Sequence, residues 1–322
     1  MTRQNYQKTI HISRCLQLAI ILEVSANKPG NVNFTSNFEN TRIEHFLASA
    51  IAAGPTFQKA ANRGIQIAEN KRSIESAGLG ELIKCCVKDV MQWQHGGNTI
   101  LGTIMLFMPI SVAAGMTPTN AKNELDLKVL RKNINTLIYA STAADAVHLY
   151  EAIDFAMPNG LNQSPPDLNV NDPNSKQRLI TENIPLHQVF NIAKNYDDIC
   201  SEWINNYPIT FDEAYPYLKE QLLLVTKTVD QNTAIVNTFL KILAQHPDTF
   251  IARKAGIEKA KQISTQAQKI IKVGGAATVK GKTAIAEFDH DLRKKGNTHN
   301  PGTTADITAT TLALCTLNGY RP

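Results

Sequence analysis

Residues 96–116 read GGNTILGTIMLFMPISVAAGM, and from Gly96 to Ala121 no charged side chain appears. A helix that is apolar all round needs an apolar environment on every side, either a membrane or the centre of a helical protein. The segment carries Asn98, Thr99, Gly102, Thr103, Pro109 and Ser111, and nothing else in the chain resembles it. A bilayer is crossed by about 20 predominantly apolar residues, usually without such interruptions. The reading is therefore a central, fully buried core helix near 99–114, around which other helices pack.

Working outward, residues 9–25 (TIHISRCLQLAIILEVS) place Ile12, Leu16, Ala19, Ile20 and Val24 at three- and four-residue steps, an amphipathic helix. Asn27-Lys28-Pro29-Gly30 ends it with a turn. Residues 41–69 resume the period, with Phe46, Ala50, Ala53 and Phe57 on one face. Helical patterns also cover 80–94, 142–156, 186–206, 212–245, 250–272 and 303–318. The stretch 159–178, rich in Asn, Pro, Asp and Ser, reads as a surface loop. No strand–helix alternation builds a parallel sheet. The expected fold is all-α, one large helical domain over 1–322 with the apolar helix buried at its centre.

Composition narrows the class. The chain has 322 residues, 43% hydrophobic and 19% charged, which suits an ordinary globular protein with a substantial core. Lys and Arg number 33 against 28 Asp and Glu, a net charge of +5. That mild excess lacks the basic blocks of a nucleic-acid binder and suits a phosphorylated small molecule equally well. The five cysteines are odd in number without CxxC spacing, as in a reduced, cytoplasmic protein with no zinc or disulfide framework. The polar N-terminus (MTRQNYQKTIHISR) has no secretory signature. Neither a nucleic-acid nor a membrane partner is expected, and the oligomeric state is open.

In an all-α protein, polar clusters at helix ends are where chemistry is expected, and four stand out. In Glu23-Val-Ser-Ala-Asn-Lys-Pro-Gly-Asn-Val32 a turn exposes backbone N–H groups beside Lys28, suited to phosphate, with Glu23 one turn back. A plain Pro-Gly helix stop with a solvated lysine explains the same residues. Glu44, in the Thr41-Arg42-Ile43-Glu44-His45-Phe46 stretch that follows, is either a functional carboxylate or complements the helix dipole. In His95-Gly-Gly-Asn-Thr-Ile-Leu-Gly102, Asn98 and Thr99 open the apolar helix, as anion ligands or as caps. In Gln245-His-Pro-Asp-Thr-Phe-Ile-Ala-Arg-Lys254, Asp248 is a good N-cap, and Arg253 and Lys254 are phosphate ligands or a solvated basic end. In Gly296-Asn-Thr-His-Asn-Pro-Gly-Thr-Thr-Ala-Asp306, an Asn-Pro-Gly turn delivers Thr303, Thr304 and Asp306 to the last helix, a Mg²⁺-phosphate site or simple capping.

Other catalytic signatures fail. Ala276–Thr283 (AATVKGKT) fits a relaxed P-loop string, but a real P-loop joins a strand to a helix, and no such strand precedes it. There is no HExxH and no GxSxG, and the histidines are scattered.

Taken in order, EVSANKPGNVN (23–33), TRIEHFLASAIAAGP (41–55), GGNTILGTIMLF (96–107), HPDTFIARKAG (246–256) and NPGTTADITA (300–309) resemble the triphosphoribosyl-dephospho-CoA synthase family, including its archaeal and methylotroph-type homologues, over nearly the whole chain. The resemblance implies a helical transferase. It would move a triphosphoribosyl group from ATP to a hydroxyl of 3′-dephospho-CoA or a related cofactor precursor and release adenine. It further implies Glu44 and Asp306 as catalytic carboxylates and Glu23, Glu44 and Asp306 as ligands of Mg²⁺. Substrate contacts would come from Lys28, Asn31, Asn98, Thr99, Asp248, Arg253, Lys254, Asn300 and Thr303. The sequence departs from the family pattern at Ile100 and Leu101, where a His and a Lys are usual, and at Glu44, where an Asp is usual. A Mg²⁺-dependent ribosyl-bond hydrolase and a non-catalytic nucleotide-binding homologue are the alternatives.

Overall fold

A computed structural model describes residues 2–157, 167–224 and 230–322. Fifteen α-helices form its framework: α1 (Arg3–Ser25), α2 (Ile43–Ala68), α3 (Leu79–Trp93), α4 (Leu101–Met116), α5 (Leu127–Tyr139), α6 (Ala143–Ala156), α7 (Ser175–Thr181), α8 (Leu186–Ala193), α9 (Asp198–Ile204), α10 (Tyr215–Leu224), α11 (Gln231–Gln245), α12 (Thr249–Ala255), α13 (Ile257–Lys272), α14 (Val279–Arg293) and α15 (Gly302–Leu317). Among the described residues only isolated β-bridges occur, Asn33 with Ser36 and Thr119 with Leu125. The fold is all-α, and no described helix is long and apolar enough to cross a membrane.

α4 is the buried axis, packed against α1, α2, α3, α5, α9 and α15. Almost every residue from Leu101 to Gly115 is buried. Two features let it sit there. Pro109 lacks an N–H and so leaves the Met105 carbonyl without its helical partner. The indole of the fully buried Trp203, on α9, donates to that carbonyl at 3.1 Å, and the Tyr207 hydroxyl donates to the next one, Leu106, at 2.9 Å. Towards its C-terminus α4 meets α2 backbone to backbone: a β-carbon on Gly64 would fall 1.9 Å from the Val112 carbonyl oxygen, and one on Gly115 would fall 2.0 Å from that of Ala61. Only glycine permits that approach.

α15 is the second interior helix, and its threonines are buried without penalty. The hydroxyls of Thr308, Thr310 and Thr311 donate to carbonyls four residues back, at 2.7 to 2.8 Å, which satisfies them inside the helix. Its N-terminus is tied to that of α12 by Asp248. One carboxylate oxygen of Asp248 accepts from the Ile251 N–H at 2.9 Å, and the other accepts from both the N–H and the hydroxyl of Thr304 at 2.8 Å.

The longer expected helices are interrupted. The 186–206 pattern breaks before α9, where Asp197 caps the Ile199 N–H at 2.8 Å. The 250–272 pattern breaks at Gly256, whose φ of +89° is left-handed territory. The 212–245 pattern comprises a π-helical turn (Ile209–Ala214), α10 and α11, with 225–229 outside the described residues. Of 159–178, residues 159–166 lie outside the described residues, turns occupy 167–174, and α7 begins at Ser175. The P-loop-like string 276–283 runs from a 3₁₀ turn (Gly275–Ala277) into the first turn of α14: Thr278 caps the Gly281 N–H at 3.0 Å and Lys282 is exposed.

Candidate active site

The N-termini of α4 and α15, the C-terminus of α1 and the end of α12 converge on one cavity of about 270 Å³. Its polar end is lined by Glu23, Asn31, Asn98, Thr99, Thr103, Asp306 and Thr303, with Asn300, Arg253 and Lys254 beside them. Three of the four sequence clusters thus meet through side chains facing one space, and the fourth, around Asp248, arrives through Arg253 and Lys254.

Asp306 is the best-placed carboxylate. It projects from the second turn of α15 across to α4, where the Thr103 hydroxyl donates to its Oδ1. Its Oδ2 lies against Gly102, so close that a β-carbon there would be 2.1 Å away. Burial, together with the negative charges of Glu23 and Asp248, pushes Asp306 up to about 7, against the opposing hydrogen bond from Thr103. A carboxylate titrating there can take up a proton near neutral pH.

Glu23 also faces the cavity, but its charge is already balanced. The Lys28 ammonium lies 3.0 Å from Glu23 Oε1 and donates to the backbone carbonyls of Glu23 and Ala26. Lys28 is 1% exposed and does not line the cavity. Burial pushes Glu23 up and Lys28 down, and their mutual attraction opposes both shifts. Lys28 is therefore an internal counter-ion that closes the end of α1. Removing one partner of a buried ion pair leaves the other charge uncompensated. Lys28→Met is expected to lower stability by about 3 kcal/mol in urea denaturation while changing KM for ATP less than threefold. A tenfold rise in that KM with stability intact would show instead that Lys28 binds phosphate.

The structure does not bring every candidate to the cavity. Glu44 is exposed on the first turn of α2, 3.4 Å from the Arg42 guanidinium, and does not line it. The helix presents Glu44 outward while turning the apolar Phe46 inward. Asp248 is buried and spent on the α12–α15 junction. Asn98 caps α4 by accepting from the Leu101 N–H at 3.1 Å, and the Thr99 and Ser49 hydroxyls are 2.7 Å apart, yet both Asn98 and Thr99 still line the cavity. Thr249 donates to Thr303 at 3.2 Å. Asn300 Oδ1 is buried without a hydrogen-bond partner.

At the basic corner, Arg253 is ion-paired with Asp197. Burial works against its charge, but Asp197 and Asp248 together outweigh it and keep the guanidinium ionised. The Lys254 ammonium sits 4.0 Å above the centre of the Phe250 ring. Burial lowers its affinity for a proton, and the Arg253 charge adds to that. Asp197, Phe250, Thr103 and Gly102 escaped the sequence reading. Only the Asp197-Asp198 pair before an apolar run carried a signal there, that of an N-cap.

Further out, α14 braces the 28–31 turn. Asp289 accepts from the Gly30 N–H at 2.7 Å and from Arg293 Nε at 2.9 Å, and Arg293 also donates to the Asn31 carbonyl. Gly30, at φ +74°, has Leu292 and Pro301 packed where a β-carbon would be. One contact set thus locks the Asn31 turn to the Asn300 turn.

Among the described residues no group of three or more His, Cys, Asp or Glu side chains could hold a metal ion. Of the three expected Mg²⁺ ligands, Glu44 points to solvent, Glu23 is neutralised by Lys28, and Asp306 stands alone. The donor set does not fit a resident Mg²⁺.

Comparisons with known proteins give the family and the fold. The model of the CitG family, described as ATP:dephospho-CoA triphosphoribosyl transferase, matches residues 9–322. The 2-(5′′-triphosphoribosyl)-3′-dephosphocoenzyme-A synthase of Klebsiella pneumoniae is 29% identical over 91 residues, 28% of this chain and 30% of that protein. A protein assigned the same activity in Azotobacter vinelandii is 31% identical over 85 residues, 26% of this chain and 28% of that one. The aligned stretches thus span less than a third of either curated relative. A crystal structure of a protein assigned as a triphosphoribosyl-dephospho-CoA synthase from Archaeoglobus fulgidus shares the fold, with a TM-score of 0.61 and 22% identity, covering 87% of this chain and all of that one.

Proposed function

The chain belongs to the ATP:dephospho-CoA triphosphoribosyl transferase family, and from that premise we propose that it joins the triphosphoribosyl group of ATP to a ribose hydroxyl of 3′-dephospho-CoA with release of adenine. The observation that carries the reading is Asp306, a carboxylate held by Thr103 in a cavity whose far corner carries Arg253 and Lys254. The acceptor oxygen attacks the anomeric carbon of ATP as the bond from that carbon to adenine breaks. The proton lost by the hydroxyl passes to Asp306 Oδ2, the oxygen not taken by Thr103, and then to solvent, while the departing adenine takes one proton from solvent, so the exchange balances. As the carbon acquires oxocarbenium character, the negative charge of Asp306 also stabilises it.

Arg253 and Lys254 meet substrate phosphates, and Asn31, Asn300 and Thr303 hold the ribose and its neighbours. The triphosphate enters as its Mg²⁺ complex, and the residues of the chain are assigned no metal step. The apolar surroundings, Ile100 and Leu101 among them, keep water from competing with the acceptor for the ribosyl carbon. The setting for this chemistry is the cytoplasm, where both nucleotides are made.

Chromatography of adenine released from ATP, with and without 3′-dephospho-CoA, tests the proposal. Adenine is expected only when the acceptor is present. Adenine appearing equally fast without it would make the protein a hydrolase, and no adenine under either condition would contradict transfer from ATP.

A further inference from the structure

The cavity continues beyond its polar end into an apolar compartment walled by α6, α8 and α9, with Leu149, Ile153, Val189, Phe190, Ala193 and Ile199 facing inward. No cavity-lining side chain of these three helices carries a charge. The Tyr150 hydroxyl is spent on the Leu168 carbonyl, and Asp167 and Tyr196, outside these helices, are further polar side chains at this edge of the lining. Nothing in the reaction at Asp306 uses this space.

Its position relative to the charged groups is informative. Asp197, immediately before α9, pairs with Arg253. Arg253 and Lys254 follow Phe250, whose ring packs against Gly302 at the start of α15, and Asp306 is one turn further along. The contacts thus connect the α9 wall through Asp197 to Arg253 and Lys254, and through Phe250 and Gly302 to Asp306.

ATP cannot lie along that path with its base in the compartment. Its reacting carbon is bonded directly to the base, with no phosphate between them, so the cations would face an uncharged stretch of ligand. Dephospho-CoA has the matching order: an uncharged pantetheine arm, a diphosphate, then the ribose that carries the hydroxyl.

We propose that the compartment between α6, α8 and α9 is the subsite for the pantetheine arm of the acceptor, with Arg253 and Lys254 on its diphosphate. This rests on dephospho-CoA being the acceptor. The donor then approaches from the opposite side of Asp306, past Asn98 and Thr99.

Calorimetric titration of ATP and of dephospho-CoA into the wild type and into Ala193→Phe and Val189→Phe tests this, with thermal midpoints reporting that each variant folds. Both positions are only partly buried, so a larger side chain can fill the compartment without breaking the core. Each variant is expected to bind dephospho-CoA at least tenfold more weakly and ATP within twofold of wild type. In the wild type, 4′-phosphopantetheine, which has the arm but no base, should displace dephospho-CoA and leave ATP bound. Weaker ATP binding with dephospho-CoA unaffected would place the donor base there and overturn the subsite. Failure of 4′-phosphopantetheine to compete, or unchanged binding in both variants, would overturn it too. If the wild type binds neither nucleotide, the functional reading itself fails, a result distinguishable from loss of the subsite alone.

Discussion

Asp306→Asn should lower kcat about 1,000-fold, the scale expected when a positioned base is lost, while leaving the fold intact. Asparagine keeps the oxygen that accepts from Thr103 and the shape that fits over Gly102, so the lost property is the ability to take a proton. The wild-type rate should rise with pH through about 7, the range to which burial and the neighbouring charges of Glu23 and Asp248 raise Asp306, and the residual rate of the variant should lack that limb.

Stability should move the other way. A carboxyl whose folded value lies above its unfolded value of 3.8 favours the neutral form in the native protein. That contribution is fully present below about 4 and is lost as pH rises through 7, where the native state must carry a buried charge. Asp306→Asn escapes the loss. Its thermal midpoint should therefore exceed that of the wild type at pH 8 and match it near pH 4. A variant that is more stable at pH 8 yet nearly inactive would identify Asp306 as a strained functional group rather than a packing element.

Gly102→Ala should cost about 100-fold in kcat, the order expected from displacing a catalytic group by about 1 Å. Alanine within a helix is normally worth up to about 1 kcal/mol over glycine, so on propensity alone this change would be harmless. The β-carbon, however, would arrive 2.1 Å from Asp306 Oδ2, and the carboxylate must yield. Steady-state kinetics should show the loss chiefly in kcat, with circular dichroism unchanged. Retention of full activity would mean that Asp306 can work from a different place, and would contradict its assigned geometry.

These two residues also illustrate what the sequence made legible. Asp306 was visible because a carboxylate heading an otherwise apolar helix is unusual, and the buried α4 because its run of uncharged residues has no counterpart in the chain. Gly102 was not visible as a site residue. Its role depends on a carboxylate 204 positions away, and no local pattern encodes that distance. Lys28 and Glu44 show the opposite limit: a Lys-Pro-Gly turn and an acidic first turn look alike whether they face a ligand, the interior or water. The structure sends Lys28 inward to Glu23 and Glu44 out to solvent.

Helix existence was more legible than helix extent. The breaks at Asp197 and Gly256 fall inside continuous hydrophobic periodicity, where a cap or a left-handed residue ends a helix that the pattern would carry on. α5, α7 and α14 went unread. α14 is a largely exposed helix whose contribution is the brace from Asp289 and Arg293 to the 28–31 turn, a tertiary contact with no sequence period. Arg253 stood out in the sequence as a candidate cation, but its partner Asp197, which fixes its direction, lies 56 residues upstream.

The measurement that bears most directly on this account is the mass of the acceptor after incubation with ATP and the protein. Dephospho-CoA should gain one triphosphoribosyl group for each adenine released, and over the same interval Asp306→Asn should reduce both changes together by about 1,000-fold. Unmodified dephospho-CoA alongside free adenine and ribose triphosphate would contradict transfer, and an acceptor fully modified by the Asp306→Asn protein would contradict the central place given to that carboxylate.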